Sequence, residues 1–104
     1  MTDEKKLLGV IGLCRAAGKA VIGVPMICEM LAGGKSAGAI VIEASDTSDN
    51  THKKITDKCT YYKARHVRIN ATCEALGRAV GKSTVAAVAT ADENFCRAIQ
   101  SKLS

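Results

Sequence analysis

Residues 38–62 read GAIVIEASDTSDNTHKKITDKCTYY, and this stretch decides the fold. It begins with an apolar run typical of a short strand that is buried on both faces. The side chains of residues 46–49, which follow the run, are able to cap a helix. Further on, Ile55, Cys59 and Tyr62 fall on one helical face and the lysines fall on the other. The stretch therefore predicts a buried strand, a polar loop and an amphipathic helix.

Elements of the same two kinds continue on both sides of this stretch. Before it, Pro25 stands where the first turn of a helix tolerates proline. After it, Thr72 is placed to cap a helix that Gly81 ends, and Thr90 with Glu93 has the capping-box spacing. The predicted order is helix 3–16, strand 20–22, helix 24–31, strand 38–43, helix 46–62, strand 66–69, helix 72–81, strand 84–89 and a last helix that ends near 103.

This alternation predicts one α/β domain over residues 1–104, a three-layer α/β/α sandwich with a central mixed sheet of about four strands. Binding sites in such folds collect at the loops beyond one end of the strands. The loops expected there are residues 23–25, 44–50, 70–73 and 90–91.

Positive charge is concentrated in one part of the chain. The 104 residues carry a formal net charge of +5. Residues 51–82 contain eight Lys or Arg residues, with Asp57 and Glu74 as the only acids. Such a concentration favours binding to a phosphate backbone, and the alternative is a face that only keeps the protein in solution.

The sequence also carries location signals. Its apolar runs are too short to span a bilayer, and the acidic start at Asp3 and Glu4 is unlike a signal peptide. We therefore expect a cytoplasmic protein with no membrane partner. The five cysteines are an odd number without a Cys-x-x-Cys pair, so they predict small buried side chains rather than disulfides or a zinc site.

Three Gly-Lys pairs, at 18–19, 34–35 and 81–82, suggest a phosphate-binding loop at first sight. Each pair misses the spacing of that motif, and each follows a predicted helix instead of a strand. A glycine with positive φ followed by a lysine is a common way to end a helix. We interpret all three pairs as helix ends.

Four titratable side chains lie near the predicted strand ends. His52 and His66 have no Ser or Cys nucleophile at a recognisable spacing. Asp46 is interpreted as a cap of the next helix, and its pairing with Glu43 has no metal signature. The prediction is a protein that is not an enzyme, with no catalytic residue, metal ligand, cofactor or small-molecule substrate.

Three segments together resemble a known family: RAAGK at 15–19, EASD at 43–46 and LGRAVGK at 76–82. With the order of helices and strands, they resemble the kink-turn-binding ribosomal proteins, archaeal L-seven-Ae and eukaryotic L-thirty-e. The likeness is greatest to the small bacterial YlxQ-like branch, of which the helix 50–62 also looks typical. The resemblance covers essentially the whole chain. It implies an α/β/α sandwich that binds a sharply bent RNA duplex.

In the family, a Gly-x-Asn-Glu-x-x-Lys element after the first strand reads sheared G·A pairs, and a loop after the third strand covers a flipped-out base. This chain keeps Gly23 but has Pro25, Met26 and Glu29 where the family has Asn, Glu and Lys. Because these side chains cannot replace that readout, the predicted kink-turn specificity is weakened or altered. The residues expected to contact RNA are Lys19, Gly23, Ser45, Asn50, Lys53, Lys54, Arg68, Asn70, Thr72 and Arg78.

The predicted function is non-catalytic binding of structured RNA, with ribosomal RNA or the ribosome as the expected partner. The alternative is a protein-interaction module that kept the fold and lost RNA readout. Val24, Pro25, Met26 and Met30 favour this alternative, because they make the ancestral RNA loop more apolar.

Overall fold

The computed structural model describes residues 4–35 and 38–103, so the predicted helix start at residue 3 lies outside the described residues. Helices and strands alternate after the first helix, as predicted. In chain order they are α1 Glu4–Ala16, β1 Val21–Ile22, α2 Val24–Met30, β2 Ile40–Glu43, α3 Asp49–Tyr62, β3 Arg65–Arg68, α4 Cys73–Ala79, β4 Ala87–Thr90 and α5 Glu93–Ser101. A turn at Leu31–Lys35, within which Gly34 leaves helical geometry, follows α2 directly.

The four strands form one sheet in the order β1-β4-β2-β3. β4 runs antiparallel to both of its neighbours, whereas β2 and β3 are parallel. In the parallel pair, Ile40 lies opposite Arg65 and Glu43 lies opposite Arg68. The prediction of a mixed four-stranded sheet is therefore confirmed.

Helices cover both faces of this sheet, which confirms the three-layer architecture. Alternate residues of a strand point to opposite faces, so Ile40 and Ile42 enter one core and Val41 enters the other. We call the face under α1, α4 and α5 the apolar face; its core includes Leu7, Ile11, Leu76, Val80, Val88 and Ile99. We call the face under α2 and α3 the mixed face; its core includes Ile27, Ile55, Cys59, Ala87 and Ala89.

The cysteines contribute to these cores as free thiols. Cys14, Cys59 and Cys96 are buried, and Cys28 and Cys73 are partly buried. Burial raises the pKa of Cys59 to about 11, so this thiol stays protonated and packs as a small apolar group. The predicted role of small buried side chains holds for the three buried cysteines.

Side-chain caps fix where the helices begin. The hydroxyls of Ser48 and Thr72 accept hydrogen bonds from the third residue of α3 and of α4 respectively, as the sequence predicted for Thr72. The capping box predicted for Thr90 with Glu93 is wrong, because β4 extends through Thr90. Asp92 caps α5 instead, and the Thr90 hydroxyl accepts a hydrogen bond from the Asp92 N–H.

The three Gly-Lys pairs follow helical segments, as predicted. Gly18, Gly34 and Gly81 have φ of 73°, 89° and 75°. This left-handed conformation commonly ends a helix, and glycine adopts it without steric strain because it has no Cβ. These pairs are helix ends and not phosphate-binding loops.

The direction of β4 decides which loops meet. β1, β2 and β3 end at the same edge of the sheet, and β4 begins there. We call this the upper edge and define it as residues 23–25, 44–48, 70–72 and 82–86. The prediction that residues 90–91 join these loops is wrong, because β4 is antiparallel and ends at the opposite edge. Lys19 lies at that opposite edge too, in a pocket it shares with Ala91 and Asp92.

Candidate nucleic-acid interface

Backbone hydrogen bonds join the loops of the upper edge into one surface. The Gly23 N–H donates to the Ala87 carbonyl, which attaches the start of α2 to β4. The Ala44 N–H donates to Ala86, and the Ser45 N–H donates to the Ala71 carbonyl at 2.8 Å. Of the predicted RNA contacts, Gly23, Ser45, Asn70 and Thr72 are brought together at this edge.

Asp46 fastens two of these loops to each other. Its carboxylate accepts a 2.7 Å hydrogen bond from the Cys73 N–H at the start of α4, while Ser48 caps α3. The prediction that Asp46 caps the next helix is therefore wrong: Ser48 caps α3, and Asp46 bonds to the first residue of α4. The hydrogen bond from Cys73 holds the pKa of Asp46 below its usual range, which makes this carboxyl a poor proton donor.

The Cys73 thiol beside Asp46 is equally unsuited to catalysis. Burial and the neighbouring Asp46 carboxylate raise the pKa of Cys73 to about 11. A thiol with such a pKa holds almost no thiolate at neutral pH, and the thiolate is the nucleophilic form.

The outer face of α3 carries exposed positive charge next to an aromatic pair. Lys53, Lys54 and Lys58 line one shallow groove, together with Asn50, Asp57, Tyr61 and Tyr62. Tyr61 is 77% exposed and packs edge-on against Tyr62, with ring centroids 4.8 Å apart. Within residues 4–35 and 38–103, the ammonium groups of Lys53, Lys54 and Lys58 have no acidic side chain within ion-pair distance. Their charge therefore remains available to a partner.

Arg78 differs from these lysines. It lies on α4, beside α1 on the other side of the sheet, where it lines a groove with Gly12 and Ala79. Its guanidinium forms an ion pair with Glu74 one helical turn earlier. The fold therefore separates Arg78, like Lys19, from the other predicted RNA contacts.

Glu43, the last residue of β2, is an unexpected buried acid next to the upper edge. It ends a strand whose other residues are apolar, and its carboxylate is as fully buried as they are. His52 Nδ1 lies 2.9 Å from both carboxylate oxygens, and His66 Nε2 lies 2.7 Å from Oε1. The Thr47 hydroxyl donates a hydrogen bond to Oε2, and Arg68 Nε lies 3.6 Å from the same oxygen. We call these five residues the Glu43 cluster.

Hydrogen bonding keeps this buried carboxylate charged. Burial by itself raises the pKa of Glu43. The hydrogen bonds from Thr47, His52 and His66 and the charge of His52 outweigh burial, and they leave the pKa of Glu43 below its usual value.

Sequence reasoning missed this cluster because Glu43, His52 and His66 are distant along the chain and belong to three different elements. His52 is nine residues from Glu43, and His66 is 23 residues from it. Two features of the sequence do point to it: an acidic residue that ends an apolar strand, and a histidine in a strand whose neighbours alternate.

Arg68 supports the loop above the cluster. Its Nε donates to the Ala44 carbonyl at 3.3 Å, and its Nη2 donates to the Thr47 hydroxyl at 3.1 Å. The guanidinium therefore has structural partners, and only part of it faces solvent.

Comparison with known proteins gives the class of this fold and surface. Residues 5–100 match the Ribosomal protein L7Ae/L30e/S12e/Gadd45 family, and the chain belongs to this family. Family membership agrees with the prediction of a binding protein rather than an enzyme. Within the described residues, no helix is long and apolar enough to cross a membrane.

Particular relatives are more closely similar. The chain is 33% identical to the RNA-binding protein YlxQ of Bacillus subtilis (strain 168) over 94 residues, which cover 90% of this chain and 91% of that protein. It is 36% identical over 61 residues to the RNA-binding protein YlxQ of Enterococcus faecium, covering 59% and 57% of the two chains. A solved structure of a protein of unknown function from Bacillus halodurans C superposes with a TM-score of 0.81 at 28% identity, covering 92% of this chain and 94% of that one.

Proposed function

We propose that this protein binds structured RNA through the upper edge of the sheet and the outer face of α3. The observation that carries the proposal is the row of exposed lysines, Lys53, Lys54 and Lys58, which have no acidic partner in the described residues and lie beside the exposed Tyr61. An RNA-binding relative that aligns over 90% of the chain supports it.

Each part of this surface suits a different part of an RNA. The lysines neutralise phosphates, which supplies affinity without sequence readout. Tyr61 offers a face on which an unpaired base can stack. At the upper edge, Ser45, Asn70 and Thr72 offer side chains that can hydrogen-bond a displaced nucleotide.

The proposed surface is narrower than the set of residues predicted from sequence. It includes Gly23, Asn50 and Arg68, although Arg68 also holds the loop of Thr47. It leaves out Lys19, at the opposite edge, and Arg78, on the other side of the sheet.

We further propose that specificity for kink turns is weakened or altered. Gly23 immediately precedes α2 with φ of 91°, and no side chain caps the helix there. Pro25 and Met26 are exposed in the first turn, and Glu29 is exposed one turn later. A proline without an N–H, an apolar methionine and a carboxylate facing phosphate do not read sheared G·A pairs. Structured ribosomal RNA in the cytoplasm remains the expected partner.

Fluorescence anisotropy against a kink-turn RNA and a plain RNA duplex, over a salt series, tests the proposal. We expect binding to both, with log K falling linearly as log salt rises. The Lys53→Gln/Lys54→Gln variant should bind about tenfold more weakly in low salt. The slope of its log K against log salt should also be shallower by about 1.5, because each phosphate contact contributes about 0.7–0.9 to that slope.

The matched control removes two positive charges from helices on the other side of the sheet. Lys5→Gln/Arg97→Gln has the same net charge as the test variant, and both positions are exposed. If both double variants weaken binding equally, only net charge matters and the proposed surface is wrong. If the wild type binds neither RNA in low salt, RNA binding itself is refuted.

The alternative function, a protein-interaction module, rests on the exposed methionine of α2. Met26 is 55% exposed and lines a shallow groove with Val21 and Met30. The Pro25→Asn/Met26→Glu variant separates the two functions. A gain in kink-turn affinity shows that RNA readout was lost at these positions, and the loss of a co-purifying protein shows that a protein partner was gained.

A further inference from the structure

The two histidines of the chain, His52 and His66, converge on one buried carboxylate. His52 belongs to α3, His66 to β3 and Glu43 to β2. The two ring nitrogens and a carboxylate oxygen all lie within 4.8 Å of one another. Three neighbouring elements thus aim three potential metal ligands at one point.

We propose that Glu43, His52 and His66 bind a divalent transition-metal ion of the zinc class. This inference does not depend on the proposed RNA-binding function. Imidazole nitrogen with carboxylate oxygen is a donor set that Zn²⁺ accepts, and two His with one carboxylate recur in zinc sites that keep an open position. Hard cations such as Mg²⁺ prefer all-oxygen sites.

The two oxygens of Glu43 have different surroundings, and this difference provides a place for the ion. Both ring nitrogens contact Oε1, at 2.9 and 2.7 Å. Oε2 accepts the hydrogen bond from Thr47 and lies nearest Arg68. A metal bound to Oε1 therefore leaves the Thr47 and Arg68 contacts of Oε2 intact and replaces the contact from His52 Nδ1, which reaches both oxygens. Thr47 and Arg68 would orient the ligating carboxylate in the way outer groups do in known sites.

Little movement is needed to convert this cluster into a metal site. Zinc bonds of about 2.0–2.1 Å in tetrahedral geometry place ligand atoms about 3.3 Å apart. The present separations of 2.7 and 2.9 Å are those of hydrogen bonds. Each nitrogen therefore needs to move about half an ångström away from Oε1, and the two nitrogens, which lie within 4.8 Å of each other, need to reach a separation of about 3.3 Å. The coordinating nitrogens would be His52 Nδ1 and His66 Nε2, with the ring proton on the other nitrogen.

The electrostatics of the buried carboxylate favour a cation at this point. A carboxylate without solvent exposure is costly unless positive charge faces it. Arg68 lies on the side of Oε2 and directs its own hydrogen bonds to the backbone and hydroxyl of the 44–47 loop. The side of Oε1 is left to the two imidazoles. His52 is 40% exposed, so the site opens toward solvent, where a water molecule or another donor can complete the coordination.

Histidine NMR on the wild-type protein tests the proposal without any substitution. Because the chain has two histidines, the imidazole ¹⁵N spectrum contains one set of signals from each. We expect one equivalent of Zn²⁺ to shift both sets, with coordination through Nδ1 of His52 and Nε2 of His66. Mg²⁺ at the same concentration should shift neither. If Zn²⁺ leaves both histidines unchanged, or shifts only one of them, the proposed site is refuted.

Variants then assign the third ligand. In a competition titration against a chromogenic chelator, His66→Gln and Glu43→Gln should each weaken Zn²⁺ binding by more than about 100-fold, and Thr47→Val should weaken it by about tenfold. Asp46→Asn is the matched control, because it changes a neighbouring carboxylate outside the cluster; its affinity should equal that of the wild type.

Cobalt distinguishes this site from adventitious binding by the five cysteines. Co²⁺ bound to nitrogen and oxygen gives d–d bands without a sulfur-to-metal charge-transfer band, and that spectrum is the expected one. A strong charge-transfer band, or tight binding that survives both His66→Gln and Glu43→Gln, overturns the assignment.

Discussion

The two faces of the sheet are built differently, although β2 contributes to both. On the apolar face, Ile40 and Ile42 pack among apolar side chains, most of them aliphatic. On the mixed face, Val41 packs in the same way, but the next residue on that side is Glu43, with its two histidines. Four consecutive residues thus combine an apolar core with a buried charge.

Because of this difference, we expect the apolar face to contribute mainly to stability and the mixed face mainly to binding. Aliphatic burial on the apolar face supplies free energy that does not depend on pH. The mixed face carries the buried charge on its inside and the exposed lysines of α3 on its outside. We expect substitutions on the two faces to differ in the size of their effect and in its pH dependence.

The largest effect is expected at Ile42, on the apolar face. Ile42→Ala removes a side chain with no solvent exposure from the centre of that core. It should lower the free energy of unfolding by about 3 kcal/mol, equally at neutral and acidic pH. Urea denaturation measures this. Leu13→Ala on the exposed side of α1 is the control and should cost less than about 0.5 kcal/mol.

The adjacent residue, Glu43, should behave differently. Glu43→Gln keeps the volume but removes charged hydrogen bonds, at an expected cost of about 1.5–3 kcal/mol at neutral pH in the presence of a chelator. The pKa of Glu43 is lower in the folded protein than in the unfolded chain. The Glu43 carboxylate therefore stabilises the folded protein at pH values above the ordinary glutamate pKa of about 4.3, and this stabilisation is lost as the pH falls through the lowered pKa.

The unfolding free energies of the wild type and Glu43→Gln should therefore converge in acid. Urea denaturation at several pH values between 7 and 3 measures this. A difference that stays constant across the series would show that ionisation of Glu43 does not contribute to stability and that the two faces are alike in their pH dependence.

Removing a helix cap should lower the free energy of unfolding by the same amount on both faces. Ser48 caps α3 on the mixed face, and Thr72 caps α4 on the apolar face, each through one hydrogen bond from its hydroxyl. Ser48→Ala and Thr72→Ala should each cost about 1 kcal/mol in urea denaturation. Thr60→Ala, at an exposed position in α3, is the control. A cost at Ser48 that is several times larger would mean that its cap also supports the Glu43 cluster.

The smallest effect is expected at the exposed ion pair of α4. Arg78 and Glu74 are both mostly exposed, so solvent screens their interaction. Arg78→Ala should change the free energy of unfolding by less than about 0.5 kcal/mol, and a double-mutant cycle with Glu74→Ala should give a coupling of similar size. A coupling above about 1 kcal/mol would contradict this view of α4 as a solvated surface.

Helices whose signals come from residues close together in the sequence were predicted well. The amphipathic spacing of Ile55 and Cys59 identified α3, and Thr72 identified the start of α4. The cap of α5 was misplaced by two residues, because β4 extends through Thr90 and leaves the capping position to Asp92. Pairing with a neighbouring strand fixes that end of β4, and periodicity contains no information about it.

The candidate site was predicted only in part, for the same reason. Ser45, Asn70 and Thr72 meet at the upper edge because their strands are parallel, as an α/β pattern leads one to expect. Lys19 is at the other edge, and Arg78 is on the other side of the sheet. The sequence identified these residues as polar and placed them near strand or helix ends, but not on a common surface.

The sequence alone determined the kinds of elements, their order and the concentration of positive charge in residues 51–82, because helical and strand periodicities arise from local backbone geometry. Only the tertiary structure decided that β4 runs antiparallel and that Glu43, His52 and His66 meet. These contacts join residues nine to more than twenty positions apart, and the packing of α3 against the sheet brings them together.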